Sequence, residues 1–200
     1  MAATNTSRDA ILGAMRANAP KLRPLPDAPV AITYTDPLEH FAATLAGVGG
    51  RFLRVADEAA LRAELATLDV YSKAQRVASL VEAATPGNVD LTSLKDPHEL
   101  EGIDLAILPG EFGVAENGAV WVPGSRLGPH RAVFVIAQHL VLVMPAGAVV
   151  HNMQEAYTRI RLERPGFGVF ISGPSKTADI EQSLVIGAHG ARSCTVIAVG

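Results

Sequence analysis

Short apolar runs alternate along this chain with segments of helical period, and that alternation narrows the fold more than any other feature. Strand-like runs fall at 51–55, 76–81, 104–108, 113–122, 140–144, 169–171 and 195–199. The β-branched run 132–136 joins 140–144 as two strands or one bent strand, with Ala137, Gln138 and His139 between them. Between the runs lie helix signals. Asp36 caps a helix with Pro37 at its first position and Glu39 three residues after the cap; Leu38, Phe41 and Leu45 give it an apolar face, and Gly47, Gly49 and Gly50 stop it. Asp57 caps a second helix, on which Leu61, Leu65 and Leu68 repeat at helical spacing. Val149, Met153, Tyr157 and Ile160 predict a long helix ending near Arg161. Strands alternating with helices imply an α/β fold with a mostly parallel central sheet flanked by helices. The stretch 85–101, with Pro86-Gly87 and Asp96-Pro97, reads as turns and as the least ordered part of the middle.

Two segments are expected: residues 1–30, an N-terminal helix and proline-rich linker, and residues 31–200, the α/β domain. The helix spans 7–17 with Ile11, Leu12 and Met15 on one side, and Pro24, Pro26 and Pro29 keep the linker extended. With 48% hydrophobic and 18% charged residues, most of the chain can bury a core and disorder is excluded for it. A net charge of -3 gives no electrostatic reason to bind nucleic acid. The longest apolar stretch, 140–150, is interrupted by Pro145 and Gly147 and is shorter than the roughly 20 residues a membrane span needs. With no signal-peptide pattern at the N-terminus, a cytoplasmic location is expected. Cys194 is the single cysteine, so no internal disulfide and no four-thiolate cluster can form, and a packed thiol is expected. Phosphate-loop, dinucleotide, His-Glu-x-x-His and Gly-x-Ser-x-Gly patterns are absent, which removes support for those chemistries and for a metal site.

Chemistry concentrates between Phe170 and Arg192. An apolar run breaks at Ser172-Gly173-Pro174, a polar cluster Ser175-Lys176-Thr177 follows, and a helix is expected to start near Thr177. N–H groups at such a start can hold an anion, and Lys176 adds positive charge; the alternative is that Ser175 or Thr177 simply caps the helix. Asp179 and Glu181 suit the first turn of that helix, and His189, between Gly187 and Gly190, its end. Elsewhere, Glu116 is a carboxylate in an apolar strand block, either paired or on a solvent face. It is a candidate base or nucleophile, and His139 a candidate proton-transfer group or strand-start cap. Arg159, Arg161 and Arg164 read as structural or partner-facing, and Trp121 as core. If Glu116, His139 and the Ser172 turn converge, the expected place is the carboxyl ends of the strands.

The spelling of these segments goes further. Ile171-Ser-Gly-Pro-Ser-Lys-Thr-Ala-Asp-Ile-Glu181 with Gly187-Ala-His-Gly190, the block Phe112-Gly-Val-Ala-Glu-Asn-Gly-Ala-Val-Trp-Val122, and His139 before an apolar run together resemble the lactate-utilisation protein C family, whose shared unit is the LUD domain. The likeness covers about residues 102–200. Asn117 and Ala119 stand where Thr is more usual, and Ala191 where Pro is more usual, so those family hydroxyls are missing here. The resemblance implies the fold shared by ribose-phosphate isomerases, glucosamine-phosphate deaminases and CoA transferases. It places catalytic roles on Glu116, His139 and His189. Substrate binding falls to Asn117, Gly118, Ser172, Gly173, Ser175, Lys176, Thr177 and Asp179. It further implies a cluster-free subunit of a system that oxidises L-lactate to pyruvate, with iron–sulfur clusters in partner subunits and a small organic anion as ligand. No cofactor of its own, no nucleic acid and no membrane span are expected, and a homo-oligomer is left open. Two alternatives remain. Glu116-Asn117-Gly118 resembles the Glu-x-Gly motif on which CoA transferases form a glutamyl thioester, so a stand-alone acyl or CoA transferase is one. A non-catalytic anion-binding protein is the other.

Overall fold

The structure is a computed structural model, and it describes residues 6–21, 23–27, 29–162, 166–177 and 185–200. The chain divides into two compact units, Met1–Val30 and Ala31–Gly200. The first holds helix α1 (Thr6–Ala17), whose Ile11 and Met15 are exposed.

The second unit begins with α2 (Pro37–Gly47), where Asp36 Oδ1 accepts from the N–H groups of Leu38 and Glu39. Strand β1 (Arg51–Val55) follows, then α3 (Glu58–Thr67), capped by Asp57 on the Ala60 N–H, the short α4 (Asp69–Ser72) and β2 (Val77–Ser79). Residues 85–101 are turn-rich as the prolines require. They are nonetheless tied down: Asn88 Oδ1 accepts from Val77 N–H, and Asp96 and Glu99 cap a 3-10 turn reciprocally. Next come β3 (Leu105–Pro109), β4 (Phe112–Val114), β5 (Ala119–Pro123), α5 (Val133–Ile136) and β6 (His139–Pro145). The chain continues through β7 (Val149–Val150), α6 (Met153–Arg159), β8 (Gly168–Ile171), β9 (Lys176–Thr177), β10 (Val185–Ile186) and β11 (Ser193–Val199).

Five strands form a fully parallel sheet in the order β1-β11-β6-β3-β2. Both of its faces are covered, so its inner strands β11, β6 and β3 are apolar on both sides. Along β6, Leu140, Leu142 and Met144 enter one core with Phe41 and Leu45 of α2, while Val141 and Val143 enter the other with Leu61, Leu65 and Leu68. This is the two-residue period of a strand buried twice. A second sheet, β7-β4-β5-β8, is antiparallel except for β4–β7. It lies over the first core, and its outer face buries Phe112, Val114, Trp121 and Val150 with Ala156 of α6.

Three sequence expectations change. The run 132–136 is a helical turn, not a strand: Ala137 N–H donates to Val133 O and Ile136 N–H to Ala132 O. A five-residue apolar run cannot reveal its period, and here Val133 is buried while Val135 is exposed. The block 113–122 is a hairpin, because residues 115–118 turn the chain between β4 and β5. The long helix from 149 is shorter: Val149 and Val150 pair with β4, and Asn152 Oδ1 caps α6 on the Glu155 N–H. Lys176 and Thr177 form a two-stranded ribbon with Val185 and Ile186, and the helix expected from near Thr177 falls on residues 178–184, outside the described residues. Asp179 and Glu181 lie outside the described residues, as does Arg164.

Candidate functional site

Two turns clasp the end of α2. In the 115–118 turn, Gly118 takes a left-handed conformation (φ +65°), and a Cβ placed there would lie 2.8 Å from the backbone N of Leu45. Only glycine lets the turn press this closely on the helix. Asn117 Oδ1 accepts from Ala119 N–H, and its carbonyl accepts from the Ser172 hydroxyl at 2.7 Å. This second turn, Ser172 to Lys176, leaves β8 through Gly173, which is also left-handed (φ +69°) and sits against the Val48 carbonyl. The Lys176 ammonium donates to Val48 O and to Pro174 O, which leaves one of its three protons without an acceptor among the described residues. Ser175 N–H donates to Ala191 O, and Gly187 N–H to Ser175 O, which ties the turn to the segment carrying His189. His189 itself is exposed.

Val48 precedes β1, and Ala191 precedes β11. The Ser172 turn therefore lies at the amino ends of the parallel strands, not at the carboxyl ends expected from the fold class. His139 is also an amino-end group, being the first residue of β6.

The turn contains donors with no acceptor among the described residues. Gly173 is buried, yet its N–H donates to no described residue. The Ser175 hydroxyl likewise has no partner among the described residues. Buried backbone N–H groups are almost always paired, so an orphan of this kind marks a place for an external acceptor. A Cβ on Gly173 would stand 3.3 Å from Lys176 Nζ, so the ammonium lies against the Gly173 backbone. Behind the turn is a cavity of about 230 Å³. Phe134, Val135, Leu140, Val169 and Ile171 wall it, and Ser172, Ser175 and Gly190 stand at its polar side. Such a site can hold a small anion whose head faces the turn and whose body is apolar.

Glu116 and His139 have other partners. Glu116 is exposed; its Oε2 accepts from Met153 N–H, the first of α6, and its own N–H donates to His151 O. Its carboxylate is thereby engaged as a helix-end acceptor, and a nucleophilic Glu116 has first to leave that bond. His139 Nδ1 is 2.8 Å from Ser193 Oγ, and its backbone N–H donates to Asp104 O. Burial, reinforced by the Arg192 charge and opposed by Asp104, holds the His139 pKa below the usual histidine range, so the imidazole is neutral and can accept a proton. It faces a recess of about 200 Å³ with Asp69, Lys73 and Asp104. Asp104 is held below the usual carboxylate range by the backbone N–H groups of Arg76 and Gln75. The structure thus brings Asn117, Gly118, Ser172, Gly173, Ser175 and Lys176 together, leaves Glu116 next to Asn117 but bonded to α6, and places His139 at a separate recess. Thr177 leads away in β9.

Sequence reasoning missed several groups. Tyr34 N–H donates to His151 Nδ1, and the Tyr34 ring stacks on His40 at 3.7 Å. Buried Asn152 holds Ile32 O, and Glu155 accepts from His151 N–H. The Asn-x-x-Glu spacing at 152–155 was the available signal. A wider recess of about 570 Å³ lies along residues 79–92, beyond the carboxyl end of β2. Its polar groups are already engaged, Asn88 with Val77 N–H and Gln75 O and Asp90 with Thr92, and Glu82 and Asp90 make its mouth acidic. The smaller cavity at the Ser172 turn is therefore the better anion site.

Among the described residues no group of three or more His, Cys, Asp or Glu is placed to hold a metal, and no helix is long and apolar enough to cross a membrane. Cys194 is buried, and burial pushes its thiol pKa up to about 12.

Comparison with known proteins agrees with the architecture. The profile of the family described as the LUD domain matches residues 58–199. The chain is 32% identical over 111 residues to lactate utilization protein C of Shouchella clausii, covering 52% of this chain and 48% of that one. It is 33% identical over 104 residues to lactate utilization protein C of Halalkalibacterium halodurans, covering 48% and 45%. The chain thus spans about half the length of the curated relatives it matches. A crystal structure of a DUF162 family protein from Deinococcus radiodurans superposes with a TM-score of 0.55 at 17% identity, over 82% of this chain and 96% of that one, which shows the shared fold.

Proposed function

The chain belongs to the LUD domain family, and from that premise we propose that it serves lactate utilisation as a cluster-free subunit that binds a small organic anion and works beside iron–sulfur partner proteins. The relatives' printed names support the lactate assignment. A single cysteine supports the division of labour, because four thiolates are the ordinary requirement for a cluster and electron transfer then belongs to other chains. The observation that carries the anion site is the N–H of buried Gly173, which has no acceptor among the described residues and lies beside Lys176. A carboxylate placed there accepts from both, and both bonds gain strength from the charge. The small alkyl end of lactate or pyruvate then faces Leu140 and Ile171.

The test is a thermal-shift titration of the purified chain with L-lactate, pyruvate, inorganic phosphate and acetyl-CoA. A ligand that binds the native state raises stability by mass action, by about 2.7 kcal/mol at a hundredfold excess over Kd. Stabilisation by L-lactate or pyruvate that Lys176→Ala removes is expected. If neither acid shifts the melting temperature, the proposal fails. A shift by acetyl-CoA alone that depends on Glu116 would transfer the case to acyl transfer.

A further inference from the structure

The cavity behind the Ser172 turn is larger and more apolar than a three-carbon acid requires. Its volume is about 230 Å³. Water occupies about 30 Å³ per molecule in the liquid, so such a space holds several waters. Phe134, Val135, Leu140, Val169, Phe170 and Ile171 bound its apolar side, Ser172 and Ser175 its polar side, and among the described residues no charged side chain lines it. Leu140 and Ile171 are buried, and Val135 stands 44% exposed at the mouth. With its carboxylate at Gly173 and Lys176, lactate sends a single methyl into this space. The remaining water then lies against hydrocarbon walls that offer it no hydrogen bonds, an arrangement that a longer side chain relieves.

We infer that this site prefers 2-hydroxy or 2-oxo acids with branched or aromatic side chains over lactate and pyruvate. The inference rests on the anion site proposed above and adds the class of ligand that fits it. Head and body are recognised separately. The carboxylate is common to all these acids and meets the same donors, so it sets a shared baseline. The side chain sets the rank order. A fully buried methylene contributes about 0.8 kcal/mol, or about fourfold in affinity. The cavity is open on one side, which lowers the gain to about two- to fourfold per carbon. From lactate to 2-hydroxyisocaproate three carbons are added, so the expected gain is about 10- to 60-fold.

The experiment is isothermal titration of the full chain with L-lactate, 2-hydroxybutyrate and 2-hydroxyisocaproate, and with the 2-oxo acid of each. Wild type, Val135→Asp and Lys176→Ala are compared. Affinity is expected to rise along the series in wild type. Val135→Asp, which puts a charge at the apolar mouth, is expected to shrink the ratio of 2-hydroxyisocaproate to lactate affinity. Lys176→Ala is expected to weaken every acid by a similar factor. Lactate binding as tightly as 2-hydroxyisocaproate overturns the inference and leaves the anion site standing. Failure of all six acids to bind, or binding indifferent to Lys176, overturns both. The wild-type series decides the ranking by itself should either variant fail to fold.

Discussion

The contact between the 115–118 turn and α2 yields a sharp prediction. Gly118→Ala meets two penalties. An L-residue in the left-handed region costs roughly 1–2 kcal/mol. The new Cβ also lies 2.8 Å from Leu45 N, 2.9 Å from Leu45 Cα and 3.2 Å from Thr44 C, all of them backbone atoms that no rotamer change can move. The helix cannot easily recede, because Phe41 and Leu45 are both 0% exposed and packed into the main core. Overpacking of this kind costs typically 1–3 kcal/mol. The sum is about 3 kcal/mol, a large part of the roughly 5–15 kcal/mol that holds a domain folded. For a chain of this size that lowers the melting temperature by about 6–12 °C. The assay is thermal unfolding followed by circular dichroism, with urea unfolding to confirm the free energy. Gly147→Ala is the control, since nothing lies within 4 Å of the added Cβ and its φ is ordinary; it should stay within about 1 kcal/mol of wild type. A Gly118→Ala variant that melts within about 2 °C of Gly147→Ala would refute the claim that the turn is clamped on α2.

Three further outcomes are expected. The folded-state pKa of His139 lies below its ordinary value of 6.5, so the unfolded chain takes up that proton more readily; stability is complete above about pH 6.5 and declines as pH falls below it. Urea unfolding between pH 7.5 and 5 should therefore show a steeper loss in wild type than in His139→Gln, and identical slopes would count against the buried, neutral imidazole. Cys194, with its thiol pKa raised to about 12, should resist a disulfide reagent in the native protein and react once urea unfolds it; rapid labelling of the native state contradicts its burial. Glu116→Ala leaves the first N–H of α6 without its acceptor and should cost about 1 kcal/mol in urea unfolding, whereas Glu116→Gln keeps an acceptor oxygen and should cost less. Equal stability of the two variants would remove the capping role.

The parts of the fold that were legible in the sequence are those in which one local rule decides the outcome. Asp36-Pro37 and Asp57 cap their helices on the N–H groups that the capping rule names. The apolar runs at β3, β6 and β11 are almost wholly buried, which is the burial a parallel sheet covered on both faces requires. Where the chain erred, tertiary context overrode pattern. Val133 to Ile136 is rich in β-branched residues and still coils, because residues 129–138 must carry the chain back to the amino end of β6. The helical spacing of Val149, Met153, Tyr157 and Ile160 is fortuitous: Val149 is in a strand and Tyr157 is exposed. For the site, the sequence marked the Ser172 turn, Gly118 and Asn117, yet nothing local to them says that they meet across α2. Only the two bonds from the turn, Ser172 to Asn117 O and Lys176 to Val48 O, join segments 55 and 128 residues apart. The His151–Tyr34 contact, 117 residues apart, is invisible for the same reason.

The amino-end position of the candidate site follows from where polar groups remain unpaired. In open α/β sheets the carboxyl ends usually bind ligands, because loops leave backbone groups there free to meet them. Here the strand tips bond to one another beside recesses of about 570 and 310 Å³. Gly110 N–H donates to Val143 O, Ala146 N–H to Val199 O and Gly200 N–H to Val55 O, while Arg54 Nε holds Gly200 O. These bonds occupy the tips of four of the five parallel strands with one another. At the opposite end, two turns from the second sheet arrive through glycines at Gly118 and Gly173, and the second cannot pair all of its donors: proline removes one N–H at position 174, and the left-handed Gly173 turns its own N–H away from any described acceptor. A ligand gains most where the protein has left hydrogen-bonding capacity unmet inside a partly dry recess, since each bond it makes there replaces no bond within the fold. That condition holds at Gly173 and Lys176 and fails at the carboxyl-end tips, so it outweighs the general preference of the fold class.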